Sequence, residues 1–201
     1  MVKIRETKCQ QELDSAANIF AEAFFNDPLF QMVFKEKSRL KKTKYFFSFL
    51  LTEKNLLRSD VLLVLHNEEI AGACSFSRPN KAELIPFNLY FFFSTIKLII
   101  KLGFRPFYIL NRYFKTISET KSSDSYYINF IGVSNKYRGK GLAKRLMDYV
   151  HKIVKEDLQY SKVGLDTENP SNIHYYERYG YHLVSEKKLQ NLTIYFMQNC
   201  F

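Results

Sequence analysis

Apolar residues recur at two spacings along this chain, every second position in some stretches and every third or fourth in others. The alternation predicts interleaved strands and helices. The opening "VKIRE" reads as a short strand. "DSAANIFAEAFF" then places apolar residues at helical spacing behind Asp14 or Ser15 as N-caps, and this helix ends near "NDP". Pro28 suits the first turn of the next helix, "PLFQMVF", where its missing N–H costs little. A third helical pattern runs from Ser38 to Leu57, with Tyr45, Phe46, Phe49, Leu50 and Leu57 as an aromatic, core-facing stripe.

Downstream, Val61 to His66 and Ile70 to Ser77 form a hairpin about a turn at Asn67 to Glu69. "SYYINFIGV" is a strand of β-formers, and "LAKRLMDYVHKIVKED" is a helix with Leu142, Leu146, Val150 and Ile153 on one stripe. "KVGLDT" is the next strand. "SNIHYYERYG" is a short helix closed by Gly180, and two strands end the chain. The order is mixed α/β (α+β). No repeat or linker divides the 201 residues, so residues 1–201 are expected to form one domain, with a helical insertion at 81–120.

Within that insertion, Leu84 to Leu110 is apolar enough to suggest a membrane span. Lys97 and Lys101 cut it, Pro86 and Pro106 punctuate it, and no unbroken run reaches the roughly 18 residues a span needs. It reads better as a buried or pocket-lining helical insertion. The composition is that of a globular protein, 46% hydrophobic and 25% charged, but with 19 Phe, 14 Tyr and no Trp it is strongly aromatic. A net charge of +10 suggests an anionic partner, and half of the excess lies between Asn135 and Lys162.

Cys9, Cys74 and Cys200 form no CxxC pair, and His66, His151, His174 and His182 have no ligand spacing, so neither a disulfide framework nor a metal is indicated. No apolar run follows the basic residues of the N-terminus, so it does not read as a secretory signal. The expected location is cytoplasmic.

The most informative stretch is "NKYRGKGLAKRL", Asn135 to Leu146, where a strand runs through two glycines into a helix. A helix start offers unpaired N–H groups and a partly positive end, and glycine lets an anion approach the backbone. Walker A spacing is absent, and a Rossmann fingerprint would need glycine at Lys144. Taken alone, the stretch fits a phosphate cradle and an ordinary basic turn equally well.

"IGVSNKYRGKGLAKRLMDYV" resembles motif A of the GNAT superfamily of N-acetyltransferases, with Lys136 in place of the usual Gln or Arg at the head of the turn. "DTENPSNIHYYERYGYHLV" resembles motif B, with Asn169, Tyr176, Glu177, Gly180 and Tyr181 in register. The resemblance implies a GNAT-type, mostly antiparallel central sheet flanked by helices, with the helical insertion between strands 3 and 4. It also implies acetyl-CoA as acyl donor and a primary amine as acceptor. The pantetheine would bond Ile131, Gly132 and Val133, with the Val133 N–H as oxyanion donor. The pyrophosphate would sit on Arg138, Gly139, Lys140, Gly141, Leu142 and Ala143. Tyr176 would protonate the leaving sulfur, a role a phenol with a pKa near 10 can fill. Asn169 and Asn172 would either bond the coenzyme or cap the helix that follows.

Where several relatives carry a glutamate on the motif A strand, this chain has Tyr127. Asp124, Asp166, Glu168 and water are the candidates for the general base. The acceptor pocket is expected between Asp27 to Leu57 and Lys81 to Thr120, whose Phe and Tyr content suggests an acceptor with an apolar or aromatic portion. The final strands could mediate a homodimer. Nucleic acid is not an expected partner of such an enzyme. Two other readings stand beside it: a basic, aromatic-rich module for nucleic acid or an anionic membrane surface, and a GNAT fold that binds coenzyme without catalysis.

Overall fold

Local signals explain where most elements begin and end. The computed structural model describes residues 1–52, 59–79 and 89–201. Its strands are β1 (Val2–Glu6), β2 (Ser59–His66), β3 (Glu69–Ser77), β4 (Tyr126–Val133), β5 (Lys162–Thr167), β6 (His182–Leu189) and β7 (Leu192–Cys200). Helices α1 (Gln10–Ala23), α2 (Pro28–Val33) and α3 (Glu36–Thr52) precede β2. Helices α4 (Leu89–Leu102) and α5 (Phe104–Thr120) lie between β3 and β4, while α6 (Leu142–Glu156) and α7 (Ser171–Glu177) flank β5. This is the expected mixed α/β order. Leu57 and the start of the expected insertion, residues 81–88, lie outside the described residues.

The start of α1 differs from expectation. The helix begins at Gln10, ahead of Asp14 and Ser15, because Glu12 reaches back to the Lys8 N–H at 2.7 Å and takes the Arg5 guanidinium at 2.6 Å. That ion pair ties the end of β1 to the first turn of α1 and holds the Glu12 carboxyl down at about 2. At α2 the expected device is present: Pro28 occupies the first turn, and the Asp27 carboxylate accepts the Leu29 N–H at 2.9 Å. Gly180, at φ +83°, closes α7 with Gly180 N–H to Glu177 and Tyr181 N–H to Tyr176, a Schellman pair.

The strands form one sheet in the order β1-β2-β3-β4-β5-β7-β6, in which every neighbouring pair is antiparallel except β4 and β5. Alternate residues of β2 face opposite sides. Leu63 joins a core with Phe20, Phe30, Phe46 and Phe47 from α1 to α3, while Leu62 and Val64 join Leu146, Met147 and Val150 of α6. Most of the unusual phenylalanine content is accounted for on the first face: Phe20, Phe24, Phe47 and Phe130 pack with ring centroids 5.0–6.5 Å apart.

Gly132 shows how tightly α1 is seated on β4. A Cβ there would lie 2.8 Å from the Ala23 Cβ and 3.3 Å from the Phe20 ring. Gly132→Val is expected to cost about 1–3 kcal/mol by overpacking, read as a fall in melting temperature. An unchanged melting temperature would show that α1 can shift away without penalty.

Candidate active site

Strands β4 and β5 pair only at Tyr126, Tyr127 and Ile128, opposite Val163, Gly164 and Leu165. The register of β4 against β3 then slips between Phe130 and Ile128, leaving Asn129 as an extra residue. A bulge of this kind bends its strand and ends the pairing. Strand β5 keeps its ladder with β7 as far as Thr167, so β4 is the strand that departs. A cleft of about 270 Å³ opens between them, lined by Phe24, Asp27 and Phe30 from the α1–α2 region, Tyr113 and Phe114 from α5, and Tyr176 from α7.

Backbone groups face this gap in alternation. The Ser134 N–H donates to the Ala71 C=O at 2.9 Å. In antiparallel pairing, every second residue bonds the same neighbour, so Gly132 also bonds β3. Ile131 and Val133 therefore turn their N–H and C=O groups toward the gap, where β5 has left them unpaired. Of the residues expected to hold pantetheine, these two have free backbone for the purpose, and Gly132 has its packing role instead.

Beyond Val133 a single 3₁₀ turn, Asn135–Tyr137, leads into the glycine pair. Gly139 and Gly141 have φ of +76° and +69°, a region that side chains resist, and among the described residues a Cβ at either would meet nothing within 4 Å. The turn is an open cradle. Its helix α6 makes its first backbone bond from the Arg145 N–H to the Gly141 C=O at 3.1 Å, so the Leu142, Ala143 and Lys144 amides precede the ladder and point out of the helix end. Lys136 does not reach into the cradle. Its Nζ pairs with Glu69 at 2.6 Å, and the Tyr137 hydroxyl donates to the same carboxylate. Lysine at this position thus fastens the turn to the β2–β3 hairpin, leaving Arg138 and Lys140 exposed beside the glycines.

At the other end of the cleft stand three carboxyl groups. Asp166 accepts the Tyr127 hydroxyl at 2.5 Å and the Tyr113 hydroxyl at 2.6 Å. Tyr113 also lies in a very short contact with Glu168. One phenol carries one proton, so only one of those carboxyls can receive it from Tyr113. The other contact is satisfied when Glu168 is protonated and donates to the Tyr113 oxygen. Burial, then the charges of Asp27 and Asp166, push Glu168 well above the usual carboxyl range, in agreement with that proton count. Asp166 is raised by burial but pulled back by its phenol donors and by Lys121. Asp27 is pushed up to about 7, by burial first and by the Asp166 charge as well, against the opposing amides of Leu29 and Phe30.

Tyr127 gives the departure from the family's glutamate a physical reading. Its ring lies over Gly164, where a Cβ would come within 3.0 Å, and its hydroxyl carries the polar contact across to Asp166 on the neighbouring strand. The carboxyl that meets Tyr127 is Asp166 on β5.

The structure brings Ile131, Asp166, Glu168, Asn169, Asn172 and Tyr176 onto one cleft. Tyr176 is buried, and burial keeps its phenol protonated well above neutral pH. The asparagines divide their duties: Asn169 accepts the Ser171 N–H at 3.1 Å as the cap of α7, while the Asn172 amide donates to Thr167 at 3.1 Å. Asp124 stands apart, exposed, paired with Lys162 at 3.2 Å and held below its ordinary value by Ser122 and Lys162. Sequence reasoning missed Asp27, which read as part of a helix boundary. Its signal was an acidic N-cap inside an aromatic run, and burial is what makes such a residue chemical.

A family model described as the acetyltransferase (GNAT) family matches residues 22–181. Among solved structures, the fold is similar to one described as histone acetyltransferase HPA2 and related acetyltransferase from Corynebacterium glutamicum, at 15% identity and a TM-score of 0.68 over 99% of this chain and 96% of that one. It is also similar to arylalkylamine N-acetyltransferase 2 from Aedes aegypti, at 12% identity and 0.62 over 99% and 98%. PaiA N-acetyltransferase from Thermoplasma acidophilum, in complex with coenzyme A, aligns at 11% identity and 0.60 over 100% and 99%. A curated relative, a probable serine/threonine-protein kinase of Dictyostelium discoideum, is 26% identical over 94% of this chain, which spans only 22% of that protein's length. With the motif A turn, the parted strands and a family match across most of its length, this chain belongs to the GNAT family of acetyltransferases.

Proposed function

We propose that the protein transfers the acetyl group of acetyl-CoA directly to a primary amine, with Asp27 as general base and Tyr176 as general acid. The observation that carries this reading is the placement of both residues on the cleft where β4 parts from β5. The cradle and the unpaired Ile131 and Val133 backbone fit a phosphate group followed by an extended arm. The Val133 N–H is the donor suited to the thioester oxygen as charge develops on it.

The amine would shed its proton to Asp27, whose elevated value near 7 makes it a stronger base than an ordinary aspartate while leaving it half ionised at neutral pH. The neutral nitrogen then attacks the carbonyl carbon; as the C–S bond breaks, the surplus nitrogen proton passes to solvent, the sulfur takes the Tyr176 proton, and Asp27 and Tyr176 return to their starting states by proton exchange with water. Asp166, which accepts hydrogen bonds from two phenols, and protonated Glu168 hold the surrounding polar frame. Phe24, Phe30, Phe114 and Phe130 wall the cleft, which supports an acceptor carrying an apolar or aromatic portion. The similarity to an arylalkylamine N-acetyltransferase supports the same class.

Acetyl-CoA should raise the melting temperature while inorganic phosphate does not, since a specific ligand stabilises only the state that binds it. An amine-library screen for thiol release should then favour arylalkylamines. Tyr176→Phe is expected to lower kcat about 10–100-fold with little change in coenzyme affinity. Wild-type turnover in that variant would remove Tyr176 from the acid role. Polyanion binding that ignores acetyl-CoA and weakens steeply with salt would favour a nucleic-acid module over an enzyme.

A further inference from the structure

We infer that the outer face of α4 and the first turn of α5 form a docking surface for an anionic lipid bilayer. The inference does not depend on acetyl transfer. Helix α4 buries Leu98 and Leu102, and the opposite side is equally apolar. At helical pitch, Leu89, Phe93, Ile96 and Ile100 fall within an arc of roughly 60°. Leu89 and Ile100 are 75% and 77% exposed, and Phe104 at the head of α5 is 75% exposed. Tyr113 and Phe114 of the expected insertion line the cleft, whereas this outward face of α4 is exposed. Contiguous apolar surface of this kind on a folded chain marks an interaction site.

Charge selects the partner. From Leu89 to Phe114 the sequence carries four cations and no carboxylate, and the next cation, Lys115, pairs with Glu119. Lys97 and Lys101 follow Ile96 and Ile100 by one residue each and so flank the apolar strip, and Arg105 does the same beside Phe104. Lys101 and Lys41 both lie over the Tyr45 ring, at 4.0 and 5.9 Å, extending the basic rim onto α3. An apolar strip edged by cations matches the headgroup and acyl boundary of an anionic bilayer. A second copy of the chain would bring like charges together at a two-fold interface. Nucleic acid would meet the charge but leave the aliphatic Leu89, Ile96 and Ile100 without a complement. Helix α4 has 14 residues, against the roughly 20 a span needs, and no helix of the described residues is long and apolar enough to cross a membrane. The contact is therefore one of lying on the surface.

The test is flotation of the full chain with vesicles of phosphatidylcholine alone or with about 30% phosphatidylserine. Binding should be at least about tenfold tighter to the anionic vesicles and should weaken as salt rises from about 50 to 300 mM. Ile100→Ser with Phe104→Ser, and separately Lys97→Gln with Arg105→Gln, should each reduce it about tenfold with the melting temperature unchanged, since these side chains are exposed. No binding, or equal binding to both vesicle types, would overturn the inference. So would light scattering that finds a dimer dissociated by the Ile100→Ser pair, which would assign the face to a second copy.

Discussion

Replacing Asp27 by asparagine should lower kcat about 10²–10³-fold at neutral pH and, at the same time, raise the melting temperature above pH 7. Asparagine keeps the oxygen that caps α2 through the Leu29 N–H, so the helix start survives. It removes only the ionisable proton. In the unfolded chain an aspartate titrates near 3.9, whereas in the folded protein Asp27 holds its proton to about 7. Between those values the folded state binds the proton that the unfolded state has lost, so stability falls as pH rises through the window and levels off above it. Water reaching the cleft reduces the full effect, and about 2 kcal/mol is a reasonable gain for the variant at pH 8.

The wild-type rate should climb with pH through about 7 as Asp27 ionises, and the variant's should lose that limb. Glu168→Gln is the internal comparison. Glutamine imitates a glutamate that already carries its proton, so this variant should lose less than about tenfold. If Glu168→Gln abolishes turnover while Asp27→Asn keeps it, the two roles are reversed.

The second large effect is expected at Gly141. Valine there must adopt a φ near +69°, which costs a side-chain residue about 1–2 kcal/mol, and more when it is β-branched. Because a Cβ at this point meets no atom of the described residues within 4 Å, the fold itself should tolerate it. The new side chain instead occupies the space over the Leu142 and Ala143 amides where a pyrophosphate would lie. Affinity for acetyl-CoA, by calorimetry, should fall at least about 30-fold, against a loss of about 1–2 kcal/mol in stability. Affinity equal to wild type would place the phosphates elsewhere.

Much of the site was legible before any tertiary contact was known. Gly139 and Gly141 announced a left-handed turn before a helix, and Tyr176 sat at a fixed distance from Asn169 and Gly180, because such motifs are local and depend on backbone conformation over a few residues. The strands at "SYYINFIGV" and "KVGLDT" were equally plain, their β-branched and aromatic residues fitting a pleated surface. What stayed hidden involved partners far apart in sequence. Asp27 and Glu168 are 141 positions apart, and nothing at either position announces that both will front one cleft. Tyr113 comes from an insertion that read as buried or pocket-lining, and nothing in its sequence shows that its hydroxyl meets both Asp166 and Glu168. Lys136, at the head of the basic turn, is held by Glu69 on a hairpin far away in sequence.

By itself, then, the sequence determined the element order, the glycine-bearing turn and the tyrosine proposed here as the acid, since periodicity, positive-φ glycines and motif spacing are properties of neighbouring residues. Tertiary structure alone decided which carboxyls front the cleft, Asp27 among them as the proposed base, and which face of α4 remains open. Burial and charge proximity, which set a pKa and expose or cover a helix face, arise only when distant segments pack together.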